Sequence, residues 1–126
     1  MAPPTRVLLV DDRIDVQLTL KLILRRFACE IEEADNGKRA LELIATRPFD
    51  VIFLDLKLPD LTGIEILQQA RSLCSSLGKV IILTGQPEPG TQDQARQLGV
   101  FRYLTKAPID RAEIKAAFAD AIAGRA

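Results

Sequence analysis

Apolar positions along this chain come in blocks, and each block has either a strand-like or a helix-like period. Residues 6–10 (RVLLV) form a continuous β-branched and Leu-rich run, as expected of a strand covered on both faces. Residues 14–27 are apolar at helical spacing. Ile14, Leu18 and Leu22 are the expected inward row, with Ile23 and Phe27 beside it and Arg25 and Arg26 near the C-terminal end. Residues 30–34 (EIEEA) are more polar and suit an edge strand. Asn36-Gly37 signals a turn, and residues 38–46 predict a helix with Leu41 and Ile44 inward. Residues 49–54 (FDVIFL) give the strongest strand signal. A loop punctuated by Pro59 and Gly63 leads to a helix over 64–77, with Gly78 placed to end it. Residues 79–83 (KVIIL) predict a fourth strand, 85–90 a loop, 91–98 a polar helix ended by Gly99, and 101–104 a short fifth strand. The last helix spans 110–123. Ile114, Phe118 and Ile122 share its expected inner face, and Asp110 with Glu113 suits a helix cap.

Five strand–helix pairs in strict alternation predict an α/β domain with a parallel sheet covered on both faces. The 126 residues suit one domain, with its core at about 6–122, and their 48% apolar content can fill one core. No internal repeat or linker interrupts the pattern, and no second domain is expected.

Charge and residue types narrow the chemistry. Lys plus Arg number 17, as do Asp plus Glu, so the net charge of zero gives no footprint for nucleic acid. The absence of histidine excludes histidine acid–base catalysis, histidine metal ligation and a phosphohistidine carrier on this chain. Cys29 and Cys74 form no CxxC pair and read as reduced thiols of a cytoplasmic protein. No signal peptide is visible, and no apolar run reaches the roughly 20 residues of a membrane span.

In a parallel sheet the C-terminal strand ends share one edge, and ligands bind there. The residues at those ends are Asp11 and Asp12, Asp55, Thr84 and Lys106. If the first and third strands are neighbours, three carboxylates crowd together, and a divalent cation relieves their repulsion. An all-oxygen set without His or Cys suits Mg²⁺, with Mn²⁺ an acceptable substitute. A carboxylate can attack phosphorus to give an aspartyl phosphate. A hydroxyl and a cation are then needed to hold the phosphoryl oxygens, and Thr84 and Lys106 supply them. Each residue also has a plainer reading: Asp12 or Asp55 as a helix cap, Thr84 as a strand end, Lys106 as a solvated lysine, Tyr103 as packing.

Four motifs occur in order: Val-Asp-Asp after the first strand, Asp-Leu-Lys-Leu-Pro-Asp-Leu-Thr-Gly (55–63) after the third, Ile-Leu-Thr-Gly after the fourth, and Tyr-Leu-Thr-Lys (103–106) at the fifth. Together they resemble the receiver domain of bacterial two-component response regulators, over nearly the whole chain. The resemblance implies a (βα)5 flavodoxin-like three-layer sandwich with strand order 2-1-3-4-5. It implies Asp55 as phosphoacceptor, and Asp12 as a direct Mg²⁺ ligand with Asp11 assisting. The backbone carbonyl of Lys57 completes the metal shell, Thr84 and Lys106 bind the phosphoryl group, and Tyr103 is an aromatic switch that follows Thr84. The side chains of Lys57 and Gln86 flank the path of attacking water and are expected to tune phosphoryl lifetime. The implied partners are a histidine kinase or histidine phosphotransfer protein and a downstream protein target, with no nucleic acid or membrane. The implied state is a monomer or weak dimer, and the chain is not an enzyme beyond acting on its own phosphoryl group.

The chain departs from the family at Ala107, which stands where proline usually follows the lysine, with Pro108 next. Three competing functions remain beside the switch. A phosphatase of the haloacid dehalogenase type needs a second acid two residues after the nucleophile, where this chain has Lys57. A nucleotide or flavin module lacks GxxxxGK and GxGxxG here. A degenerate receiver would bind partners without phosphorylation, and a receiver fragment of a longer regulator would share these motifs.

Overall fold

Strand β1, Thr5–Val10, runs through the middle of the domain with Val7 to Val10 fully covered, which is why its sequence does not alternate. The computed structural model describes residues 4–74, 77–85, 88–106 and 108–124. Chain order is β1, α1 (Ile14–Leu24), β2 (Cys29–Ala34), α2 (Gly37–Thr46), β3 (Val51–Leu54), α3 (Gly63–Leu73), β4 (Lys79–Thr84), α4 (Pro89–Gln97), β5 (Arg102–Thr105) and α5 (Arg111–Ile122). All five strands are parallel, in the order β2-β1-β3-β4-β5. One apolar cluster packs α2, α3 and α4 on one face of the sheet, and a second packs α1 and α5 on the other. The expected three-layer flavodoxin-like architecture is therefore present.

Several local readings need correction. Helix α1 turns a different face inward. Val16, Gln17, Leu20, Ile23 and Leu24 are buried, while Ile14, Leu18 and Leu22 are 75%, 54% and 53% exposed. Both rows have helical period, and the sheet selects only one. The helix ends at Leu24, so Phe27 enters the core from the following turn, edge-on to Phe118 at 4.8 Å. In α5 the inner face is completed by Ala117 and Ala121, and Ile122 is 43% exposed.

Helix α3 starts at Gly63 behind a Thr62–Glu65 capping box and stops at Leu73, four residues short of the expected end. Gly78 is consequently no helix cap. A Cβ there would overlap the carbonyl oxygens of Phe49 and Asp50, so this glycine lets the chain entering β4 press against the chain entering β3. Helix α4 begins earlier than expected, at Pro89, because proline is tolerated in a first turn. Gly99 does follow α4, at φ +80°.

Candidate functional site

The sheet extends one residue beyond three of its strands, and this places the functional side chains. The Asp11 amide donates to the Ala34 carbonyl at 3.1 Å, the Asp55 amide to Val10 at 2.9 Å, and the Lys106 amide to Thr84 at 2.8 Å. Val10 pairs with Leu54 across β1 and β3, so Asp11 and Asp55 leave neighbouring strands side by side. Carboxylate oxygens of Asp11, Asp12 and Asp55 lie within 4.8 Å of one another. Asp11 and Asp55 are only 3% and 5% exposed, and Asp12 opens to solvent.

Lys106 reaches across from the end of β5. Its Nζ donates to Asp11 Oδ2 at 2.6 Å and to Asp55 Oδ2 at 2.8 Å. Burial pushes the Asp11 carboxyl above its ordinary pKa, although Lys106 and the Arg13 amide pull the other way. For Lys106, burial alone would lower the pKa; its pairing with Asp11 and Asp55 outweighs that, and the net shift is upward. Three carboxylates against one ammonium leave a local charge of −2 if all are ionised. The donors are all oxygen. That set fits a hard divalent cation.

Thr84 is 1% exposed at the end of β4, and its carbonyl holds Lys106 through the backbone. Tyr103, on β5, packs against the α2–α4 cluster with its hydroxyl shielded from solvent, and burial raises the phenol's pKa. The Lys57 amide lies 3.4 Å from Asp55 Oδ1, which turns the chain sharply after the acid. Gln86 and Ala107 lie outside the described residues, and so does the peptide bond between Lys106 and Ala107.

The plainer reading of Asp12 as a helix cap does not hold. The N-cap of α1 is Arg13, which makes no side-chain cap hydrogen bond, and it is Asp11 Oδ1 that accepts from the Arg13 amide at 2.9 Å.

The supporting roles of three residues are absent from the sequence reading. Gln17, buried in α1, donates through Nε2 to the carbonyls of Asp11 at 2.7 Å and Ala34 at 3.3 Å. Asp60 accepts from the amides of Gly37 and Lys38 at 2.7 and 2.9 Å, tying the loop after Asp55 to the start of α2. Those bonds hold the Asp60 carboxyl below its ordinary pKa. At Gly63 a Cβ would sit 2.5 Å from the Asp55 carbonyl oxygen and 2.8 Å from the Leu56 Cα, so only glycine lets α3 start so close to Asp55. A polar residue inside an apolar helix face was the available signal for Gln17. The Asp60 bond joins residues 23 apart and left none.

Comparison with known proteins places the chain in a family. The family described as the response regulator receiver domain matches residues 7–119. Response regulator protein PilR of Pseudomonas aeruginosa is 32% identical over 117 residues, 93% of this chain but 26% of that protein. Sporulation initiation phosphotransferase F of Bacillus subtilis is 30% identical over 110 residues, 87% of each chain. Among solved structures, a CheY-like response regulator receiver domain protein from Methanospirillum hungatei JF-1 superposes with a TM-score of 0.88 at 26% identity, covering 96% of this chain and 95% of that one. The signal receiver domain of a putative LuxO repressor from Vibrio parahaemolyticus gives 0.89 at 28% identity, covering 98% and 92%. With its strand order, its three crowded carboxylates and the lysine between them, this chain belongs to the response regulator receiver domain family.

Proposed function

We propose that this chain is a Mg²⁺-dependent phosphoacceptor switch, charged on Asp55 by a partner phosphohistidine and read by protein–protein contact. The observation that carries this reading is the buried Asp55 carboxylate, grouped with Asp11 and Asp12 and touched by the Lys106 ammonium at 2.8 Å. An Asp55 oxygen attacks phosphorus, the phosphorus–nitrogen bond to the donor imidazole breaks, and the leaving imidazole nitrogen takes up a proton. Asp11, Asp12, Asp55 and the Lys57 carbonyl would hold Mg²⁺, which supplies charge neutralisation for the phosphoryl oxygens. Lys106 gives up its bond to Asp55 and pairs with the phosphoryl group, and the Thr84 hydroxyl donates to it. Tyr103 couples that movement of Thr84 to the α4–β5 surface. Lys57 and Gln86 set the lifetime; unchanged dephosphorylation in Lys57→Ala and Gln86→Ala would sink that role.

The donor's docking side follows from α1. Ile14 lines the same 590 Å³ crevice as Asp11 and Asp12, and the exposed row Ile14, Leu18 and Leu22 runs away from it. An apolar stripe beside an acceptor suits a helical histidine kinase or phosphotransfer protein, whose histidine then meets Asp55. Zero net charge supports a protein partner over nucleic acid. Among the described residues no helix is long and apolar enough to cross a membrane, and a cytoplasmic role accords with that. The chain spans 26% of PilR and 87% of the Bacillus phosphotransferase, so both a regulator fragment and a relay intermediate accord with its length.

Incubation with acetyl phosphate and Mg²⁺, followed by intact mass, tests the reading. One added phosphoryl group is expected, absent from Asp55→Asn and from a chelated sample. A folded wild type that gains no mass from acetyl phosphate or from a phosphohistidine protein would make this a phosphorylation-independent partner module.

A further inference from the structure

Four polar residues are buried among the described ones: Asp11, Asp55, Thr84 and Gln17. Three belong to the site already described. The fourth is on α1 and contacts no carboxylate oxygen that any observed bond records. Its Nε2 instead donates to two backbone carbonyls, Asp11 at 2.7 Å and Ala34 at 3.3 Å. Ala34 ends β2, and its carbonyl also receives the Asp11 amide at 3.1 Å. Asp11 is thus gripped on both sides of its Cα, by β2 through its amide and by Gln17 through its carbonyl.

The second grip matters for Asp12. A peptide unit is planar, so the direction of the Asp11 carbonyl fixes the plane that ends at the Asp12 Cα. The Asp12 side chain is exposed, and beyond that point the Arg13 backbone is extended, at φ −101° and ψ 119°. The Gln17 amide is therefore the buried anchor for the direction in which Asp12 leaves β1.

From this geometry we infer that Gln17 is a positioning residue for the metal site: it aims the Asp11–Asp12 peptide so that both carboxylates meet a divalent cation. The inference rests on the Mg²⁺-dependent reading above. It assigns a role to a buried amide that otherwise looks like a polar defect in the apolar face formed by Val16, Leu20, Ile23 and Leu24. Groups that orient metal ligands without touching the metal commonly change affinity by about 10- to 100-fold when removed.

The test is calorimetric titration of the full chain with Mg²⁺ alone, without phosphodonor, below the melting temperature of every variant. Gln17→Met keeps length and removes the donor. Leu24→Ala opens a cavity in the same helix and leaves the Asp11 carbonyl bond in place, so it reports what general destabilisation does. Gln17→Met is expected to bind Mg²⁺ about tenfold more weakly, and Leu24→Ala within about twofold of wild type. If Gln17→Met fails to fold, Gln17→Leu takes its place, since it removes the donor without adding charge beside Asp11 and Asp12, and the same loss is expected. Wild-type affinity in the folded Gln17 variant, or an equal loss in Leu24→Ala, overturns the inference while the functional reading stands. Absence of Mg²⁺ binding by the wild type overturns both.

Discussion

Helices α3 and α4 lie on the same face of the sheet and flank the same site, yet they are held very differently. Helix α3 buries Gly63, Ile66, Leu67 and Ala70, and its first turn is closed by a reciprocal Thr62–Glu65 box. Helix α4 buries only Ala95, and its N-cap, Glu88, makes no side-chain cap hydrogen bond. Its far end is better secured, because Arg71 of α3 donates to the carbonyls of Leu98 and Gly99 at 3.1 and 3.2 Å. Helix α4 is therefore pinned away from the site and lightly held beside it. Local stability follows buried contacts, so the end nearest Thr84 is the one a small free-energy change can move. Asp55, the proposed phosphoacceptor, thus precedes the rigid helix, and Thr84 precedes the loose one.

The comparison breaks most sharply in the core. Leu67→Ala should cost about 2–5 kcal/mol, since its side chain is 1% exposed beneath α3. Ala95→Gly, at the one buried position of α4, should cost about 1 kcal/mol, mostly backbone entropy. Urea unfolding measures both; equal losses would mean that the two helices are equally integral. Lys106 then sharpens the picture, because its backbone extends β5 while its ammonium grips Asp11 and Asp55. Lys106→Met removes the cation that competes for those oxygens. Mg²⁺ affinity should rise about tenfold, or ~1.4 kcal/mol. A fall would show that Lys106 organises the carboxylates more than it competes for them.

How far the sequence carries this comparison depends on the kind of contact. Strands β1, β3 and β4 were legible because continuous apolar runs mark strands covered on both faces. The residues after them, Asp11, Asp55 and the strand-ending Thr84, were legible because polar groups follow those runs abruptly. The face of α1 was not, because Ile14–Leu18–Leu22 and Val16–Leu20–Ile23 have equivalent periodicity, and only the sheet decides which row is buried. Ile122 was misplaced for a related reason: small Ala117 and Ala121 pack α5 where a large side chain was expected. Asp60 was invisible because its partners, Gly37 and Lys38, are brought to it by the fold. The weak attachment of α4 was half visible in its polar sequence. The Arg71 pin at its far end was not.

Capping gives the next smaller contrast. Thr62→Ala removes an oxygen that accepts the Glu65 amide at 3.1 Å and should cost about 1 kcal/mol. Glu88→Ala removes no side-chain cap bond and should stay within about 0.5 kcal/mol. Chemical denaturation of the two variants against wild type resolves the difference. A comparable loss at Glu88 would mean that the start of α4 is held as firmly as that of α3.

The smallest effect concerns protons, and it tests whether the rigid side of the site carries a burial penalty. Asp11 has a folded-state pKa raised above its unfolded value, chiefly by burial. Between the two values the folded protein binds more protons than the unfolded chain, so this group's contribution to stability grows as pH falls through that window. Lys106 is also raised, by its pairing with Asp11 and Asp55, but its contribution is complete below its unfolded pKa and is lost only as pH rises through the folded one. In mildly acidic, metal-free solution, Asp11 is therefore the partner that titrates. Asp11→Asn removes that titration together with one of the two charged partners of Lys106. Its stability relative to wild type should be most favourable near neutrality and should decline as pH falls through the Asp11 window, as followed by urea unfolding in chelator. A relative stability that instead grows on acidification would mean that pairing with Lys106, and not burial, governs Asp11. The site would then be held by its charges at least as much as by the β1–β3 frame around them.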